Sequence, residues 1–252
     1  LAGALVAAKL HVPIAHIEAG LRSFNKEMPE EVNRVLTDHI SDLLLVPSNN
    51  AVQNLAKEGI RNNVYTVGDI MKDLVLYSID NNHITARKKQ GDYYYVTLHR
   101  PYNTDEKERL MYVLESLSQA DKTVVFSIHP RTINAMSKFG LLRENYPKIV
   151  FIDPQGYFDN LSYLYFSSGL ITDSGGMQKE AYWLKKKCIT IRTETEWIET
   201  VVDSANTLVF NDLSGLNDIM AMPAKWSDNL YGDGNCGALI SSLLLENSTN
   251  RN

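Results

Sequence analysis

Three groups of residues have the types and spacing to do chemistry together. Thr172-Asp173-Ser174-Gly175-Gly176 follows the apolar run Leu170-Ile171 and leads into Met177–Lys185. A strand therefore ends, a Ser-Gly-Gly turn follows, and a helix begins. Free backbone N–H groups at a helix start suit a phosphate or pyrophosphate, and glycines allow close approach. Ser174 adds a hydroxyl, and Glu180 lies one turn in, where an acid can accept hydrogen bonds from sugar hydroxyls. A plain helix cap with a tight turn would use the same residues, and two adjacent glycines are a weak motif alone.

The second group is His16-Ile17-Glu18-Ala19-Gly20-Leu21-Arg22 with Pro29-Glu30-Glu31-Val32-Asn33-Arg34. Glu18 falls at the carboxyl end of the apolar run Val12–Ile17, where doubly wound folds bind ligands. Glu30 and Glu31 occupy the first turn of a helix, which its dipole favours, and Arg34 stands four residues after Glu30. Such a pair is worth ~0.2–0.5 kcal/mol as plain helix stabilisation. That structural role suits Glu31. For Glu18 and Glu30 it stands level with a second role, paired carboxylates moving protons.

The third group pairs His with Arg at strand ends: Leu98-His99-Arg100, and Ile128-His129-Pro130-Arg131, with Arg192 at the same edge. A lone His is usually structural. Two such pairs in one sheet favour an anionic ligand, because Arg grips phosphate bidentately and His can donate or shuttle a proton. The chain carries no nucleophile elbow, Walker loop, zincin motif or Cys cluster. Neither a metal nor a cofactor is expected.

These residues need a scaffold that brings strand ends together. Short apolar runs alternate with helical segments along the chain. Strands are expected at 12–17, 43–47, 64–67, 93–98, 123–128, 149–152, 170–172, 188–191 and 207–210. Helices are expected at 1–10, 29–42, 49–58, 105–120, 131–139, 158–167, 177–185, 196–202, 216–221 and 237–246. Strands apolar throughout are buried on both faces, as in parallel sheets covered by helices. The fold class is α/β with doubly wound sheets. Up to Gly68 only three strands are visible, whereas six follow from Tyr93 to Phe210, so a break is expected near Gly68–Asp80. The tail 247–252 is polar and expected to fray.

Composition narrows the function. The chain has 252 residues, 25 Lys and Arg against 30 Asp and Glu, and a formal charge of -5. That balance argues against a nucleic-acid binder working by phosphate neutralisation. The most apolar stretch, Leu1 to Leu21, is broken by Lys9, His11, His16 and Glu18, so no membrane span is expected. Cys188 and Cys236 suggest neither a disulfide framework nor a metal site, which favours a reducing, cytoplasmic compartment. The chain opens inside a helical pattern with no initiator Met and no capping residue, as a fragment would.

As a set, the motifs resemble the non-hydrolysing UDP-N-acetylglucosamine 2-epimerases. The stretches 16–22, 29–34, Val67-Gly68-Asp69, 98–100, 172–176 and Tyr231-Gly232-Asp233-Gly234 occur in that family's order and spacing, across nearly the whole chain. The resemblance implies a glycosyltransferase-B-like architecture of two doubly wound domains. Residues 1–70 would be the C-terminal half of the first Rossmann-like domain, left incomplete. Residues 71–236 would form the second, UDP-binding one, and 237–252 a helix returning to the first. It also implies residues before Leu1, including a Gly-Thr-Arg-Pro-type loop and an Asp in a Gly-Asp-Thr segment.

The implied reaction inverts C2 of a UDP-sugar. UDP is eliminated to leave a 2-acetamidoglucal and is added back after the proton returns on the other face. By resemblance Glu18 and Glu30 are the acid and base, and His99 helps UDP leave. Ser174, Gly175 and Gly176 cradle the phosphates, with Arg100 and Arg192 at the same basic edge. Glu180 holds the ribose and Arg34 orients the acids. A homodimer is implied, with a UDP-sugar as the small-molecule partner and neither nucleic acid nor membrane.

Three places depart from the family pattern. Tyr102 stands where an acid is frequent, and Asn160 lies where a ring against the uracil is frequent. Arg192-Thr193-Glu194-Thr195-Glu196-Trp197 follows a branch that includes enzymes acting on UDP-2,3-diacetamido-glucuronate. The alternatives are therefore that substrate, a glycosyltransferase of similar architecture, or an inactive UDP-sugar-binding module.

Overall fold

The computed structural model describes residues 1–85, 92–202 and 204–249. Residues 250–252 of the tail expected to fray lie outside them. The chain divides into two compact units, 1–77 with 227–252, and 78–226.

In the first unit α1 (Ala2–Lys9), β1 (Ala15–Ile17), α2 (Pro29–Ile40), β2 (Leu43–Val46), α3 (Asn49–Lys57), β3 (Val64–Thr66) and α4 (Ile70–Asp80, whose last turn passes into the second unit) follow in order. The three strands form a parallel sheet in the order β1-β2-β3. β2 is Leu43-Leu44-Leu45-Val46 and is buried along its whole length. Its alternate residues serve two cores, as the two-residue period of a strand requires. Leu44 and Val46 pack with Ala19, Ala51 and Leu55, while Leu43 and Leu45 pack with Val67, Cys236 and Ile240. The second of these faces is covered by the C-terminal helix α12 (Cys236–Thr249).

Two residues of α4 tie that helix in. The buried Lys72 ammonium donates to the carbonyls of Asp228 at 2.6 Å, Leu230 at 3.3 Å and Gly232 at 2.5 Å. The Asp73 carboxylate accepts from the N–H groups of Cys236 and Gly237, which caps α12. The boundaries implied at 70/71 and 236/237 therefore differ from the observed divisions at 77/78 and 226/227. The division at 77/78 falls within the stretch Gly68–Asp80 where a break was expected, and it lies inside the helix α4.

In the second unit β4 (Tyr93–Thr97), α5 (Pro101–Thr104), α6 (Lys107–Ser118), β5 (Thr123–Ser127), α7 (Pro130–Phe139), β6 (Ile149–Ile152), α8 (Tyr157–Phe166), β7 (Gly169–Thr172), α9 (Gly175–Trp183), β8 (Cys188–Ile191), α10 (Glu199–Val202), β9 (Asn206–Val209) and α11 (Leu216–Ala221) alternate. All strand pairings in this sheet are parallel, in the order β6-β5-β4-β7-β8-β9. The chain thus fills one half of the sheet outward from β4, then crosses back and fills the other from β7. The crevice beyond the carboxyl ends of β4 and β7, where the winding reverses, is where such sheets bind ligands.

Two helices differ from expectation. The helix expected at 105–120 is the single helix α6, and a short helix that was not expected, α5, precedes it because Pro101 starts a separate turn. The one expected at 196–202 begins only at Glu199. The residues before it fold inward: the Thr195 hydroxyl donates to Gln178 Oε1 and accepts from the Trp197 N–H. Cys188 and Cys236 are free and buried, and burial pushes both thiols up to about 12, so neither serves as a nucleophile at neutral pH. Among the described residues no helix is long and apolar enough to cross a membrane, and no group of three His, Cys, Asp or Glu could hold a metal ion.

Candidate active site

In the second unit the site residues gather at the β4–β7 reversal. Thr97 pairs in register with Thr172, and their hydroxyls lie 2.7 Å apart. Just beyond them Asp173 is fully buried. Its carboxylate accepts from the N–H of His99 at 3.1 Å, the N–H of Arg100 at 2.9 Å and Asn103 Nδ2 at 3.1 Å. His99 Nδ1 stands 3.3 Å from the same carboxylate. That contact turns the Nδ1 side of the ring toward the carboxylate. Burial holds His99 below its ordinary pKa; Asp173 works against that, while Arg100, His129 and Arg131 reinforce it. Near neutral pH the ring is uncharged.

The helix α9 begins at Gly175. A Cβ on Gly175 would lie 3.4 Å from Trp197 Nε1, 3.9 Å from Arg192 Nη1 and 4.0 Å from Glu196 Oε2. One on Gly176 would meet nothing within 4 Å. Gly175 therefore faces the protein, and Gly176 is the glycine open to a ligand. Arg192 is buried and paired with Glu196 at 3.2 Å. Lys179, also buried, holds its ammonium 3.8 Å from the centre of the Trp197 ring. Glu180 is buried in the same helix.

The second His-Arg pair resolves to structure. His129 caps α7 by accepting from the Arg131 N–H, and Arg131 forms an exposed ion pair with Asp105. Tyr102 packs edge-on against Phe210, and burial raises its hydroxyl to about 12. Asn160 is engaged internally, accepting from the Tyr95 hydroxyl and donating to Met177 Sδ.

In the first unit Glu18 follows β1 directly and takes a left-handed conformation, with φ +62. A residue with a Cβ adopts that region at a cost, and such outliers concentrate where a side chain must be aimed. Gly20 follows at φ +77, where an added Cβ would lie 2.5 Å from the Ala51 carbonyl oxygen, so only glycine fits. Glu30 is exposed at the first turn of α2.

Glu31 is not a solvent-facing dipole acid. It is buried, and its carboxylate accepts from the Ser23 N–H, the Ser23 hydroxyl and the Phe24 N–H at 2.9 to 3.0 Å. Arg34 reaches Glu31 at 3.4 Å, an i,i+3 contact. Further along α2 the buried Asp38 holds His16 and Arg22. Arg22 also forms a two-point pair with Glu58 at 2.7 and 2.8 Å. Burial opposes the Arg22 charge, but the hydrogen bonds it donates to Glu58 and Asp38 outweigh that and hold the guanidinium above its ordinary pKa. Asp38 and Glu58 escape a reading of the sequence because each is an ordinary polar residue until partners at least 16 positions away come into place, and the part Asp173 and Asn103 play appears only when they meet across 70 positions.

The family described as UDP-N-acetylglucosamine 2-epimerase matches residues 1–245. A UDP-N-acetylglucosamine 2-epimerase of Methanocaldococcus jannaschii is 42% identical over 97% of this chain and 72% of its own length. A UDP-2,3-diacetamido-2,3-dideoxy-D-glucuronate 2-epimerase of Pseudomonas aeruginosa is 41% identical over 97% of this chain and 71% of its own. The crystal structure of the M. jannaschii UDP-GlcNAc 2-epimerase in complex with UDP-GlcNAc and UDP superposes with a TM-score of 0.88 at 40% identity, covering 98% of this chain and 72% of that one. The fold expected, α/β from the residues and glycosyltransferase-B-like from the resemblance, is the fold observed.

Proposed function

The chain belongs to the UDP-N-acetylglucosamine 2-epimerase family, and from that premise we propose that it interconverts UDP-GlcNAc and UDP-ManNAc. The proton at C2 leaves to a carboxylate while the C1–O bond breaks. The C2–H electron pair becomes the C1–C2 double bond of a 2-acetamidoglucal, and UDP departs with the C1–O pair. Re-addition of UDP and return of a proton to the opposite face of C2 complete the inversion. Nothing is oxidised or reduced overall.

Each unit supplies part of this chemistry. In the second, Ser174, Gly175 and Gly176 offer the helix start to the diphosphate, with Gly176 taking the closest approach. Arg100 and Arg192 add positive charge, and Glu180 accepts from the ribose. His99, neutral and with Nδ1 turned toward Asp173, presents Nε2 as a proton acceptor near the leaving group. Taking a proton from solvent at Nε2, it becomes cationic and offsets the negative charge that develops on the departing UDP. In the first unit Glu18 and Glu30 exchange the C2 protons, and Arg34 orients the acids. The observation that best supports this reading is Glu18, held left-handed at a strand's carboxyl end.

The test is to incubate the protein with UDP-GlcNAc in D₂O and follow C2 deuteration and epimer ratio by NMR. Glu18→Gln and Glu30→Gln should each lower kcat by about 10²–10⁴ with little change in KM. A variant acid that removes the proton should stop deuterium wash-in. One that only returns it should leave wash-in intact and block inversion. Wild-type rates in Glu18→Gln would remove it from the mechanism.

A second reading has a specific support. The P. aeruginosa relative matches as closely as the M. jannaschii one, and the 192–197 segment is buried around Arg192, Glu196 and Trp197. UDP-2,3-diacetamido-glucuronate is the substrate it favours, and direct competition between the two UDP-sugars decides. A homodimer in the cytoplasm completes the proposal, tested by light scattering and cell fractionation.

A further inference from the structure

We infer that Asp38 is a positioning residue for Glu18: a buried carboxylate on α2 that fixes the backbone on both sides of the proposed catalytic acid. This rests on the role given to Glu18 above.

The geometry is specific. Asp38 Oδ1 accepts from His16 Nδ1 at 2.6 Å, two residues before Glu18. Asp38 Oδ2 accepts from the Gly20 N–H at 3.1 Å, two residues after it. Arg22 Nη1 donates to that same oxygen at 2.7 Å and to the Leu21 carbonyl at 2.7 Å. The Asp38 side chain is completely buried. One carboxylate therefore spans Glu18 from both sides, and the residue between the two anchors is the one in a left-handed conformation. Such a conformation persists only where its surroundings over-determine it.

A buried carboxylate that merely supported a helix would bond within its own element. The three partners of Asp38 lie instead in β1, His16, and on the connection that follows it, Gly20 and Arg22. α2 grips that connection a second time through Glu31, which takes Ser23 and Phe24. Glu30 sits beside that second grip at the start of the same helix. Asp38 lies eight residues further on, roughly 12 Å along the axis. Glu30 and the clamp on Glu18 thus ride on one rigid element, so the relation between the two acids is set by α2 and not by the loop.

The test uses Asp38→Asn and Asp38→Glu in the protein, with three measurements: kcat and KM for C2 inversion below the unfolding temperature, thermal stability, and amide exchange across residues 16–24. Asparagine keeps the shape but turns an NH₂ group toward one of three donors. Glutamate keeps the charge and shifts it by one methylene. Asp38→Asn should lower kcat about 10- to 100-fold per folded molecule, the scale of a misplaced catalytic group. KM should stay within a factor of about three, and exchange in 16–24 should accelerate. Asp38→Glu should fall between it and the wild type. A purely structural role would change melting temperature and leave kcat of the folded fraction alone, and that result overturns the inference. Wild-type exchange across 16–24 in Asp38→Asn overturns it too. If Asp38→Asn does not fold, Asp38→Glu decides by the same measurements. Absence of C2 exchange in the wild type would instead defeat the epimerase reading, and loop exchange then decides the part played by Asp38.

Discussion

The β7–α9 junction of the second unit and the β1–α2 junction of the first solve the same problem differently. Both follow a parallel strand, buried in β7 and largely exposed in β1, and must hold polar groups at its carboxyl end. At β7–α9 the groups on offer are mostly backbone: the start of a helix made accessible by Gly176, with Asp173 behind it tying the neighbouring strand's His99 and Arg100. At β1–α2 they are side-chain carboxylates on a longer connection whose path is held by Glu31 and Asp38 from the helix that follows. Backbone donors come positioned by the helix itself. Carboxylates on a long connection need other carboxylates to place them. The first junction costs little to build and suits a constant ligand such as a diphosphate. The second suits chemistry that depends on where a proton is.

This contrast predicts that the two junctions break in different ways. The largest effect should come from Asp173→Ala. It removes the acceptor of two backbone N–H groups and of the buried Asn103. We expect about 3 kcal/mol of lost stability, the scale of a few charge-assisted hydrogen bonds left unmade. Weaker UDP binding should follow, read by chemical denaturation and calorimetry. A variant as stable as the wild type would mean that β4 and β7 are held at their ends by something other than this carboxylate.

Glu31→Gln comes next. As a dipole-facing helix acid its loss would cost only a few tenths of a kcal/mol. As the acceptor for Ser23 and Phe24 it should cost about 1–3 kcal/mol, since the amide turns an NH₂ group toward buried donors. Denaturant unfolding separates the two outcomes.

The difference between the junctions also explains what was legible. Ser174-Gly175-Gly176 could be read because a glycine pair between a strand and a helix is local information. β2, four apolar residues in a row, was legible as a doubly covered strand for the same reason. Glu31 and Asp38 were not, because a helix acid looks alike whether it faces water or a loop 7 to 22 residues away. The helix α4 was hidden as well: the stretch was expected only as a break, whereas its Lys72 and Asp73 hold residues 228–237.

Gly176→Ala should have a smaller and two-sided effect. Gly176 lies in α9 with open space around it, so alanine should stabilise the helix by about 0.5–1 kcal/mol. The same methyl group would stand where a phosphate approaches, so UDP affinity should fall while the melting temperature rises. Gly175→Ala, whose Cβ meets Trp197 at 3.4 Å, should lack the gain in stability. If Gly176→Ala bound UDP as well as the wild type, the diphosphate would lie away from this helix start.

The smallest effect is the pH dependence carried by His99. Burial is the largest cause of its lowered pKa, opposed by Asp173 and reinforced by Arg100, His129 and Arg131. The folded protein therefore holds this proton less tightly than the unfolded chain, whose value is 6.5. Between those two pKa values the unfolded state binds more protons, so stability rises with pH there. The contribution is fully present above the unfolded value and is lost as pH falls through the folded one. The side chain is 36% exposed, so solvent screening keeps the slope shallow. Melting temperatures from about pH 5 to about pH 7.5 should climb less steeply in His99→Gln than in the wild type. Equal slopes would show that the ring keeps its ordinary proton affinity. It would then be partly cationic in mildly acidic solution, and the β7–α9 junction would meet the leaving UDP with a standing charge instead of one acquired as the bond breaks.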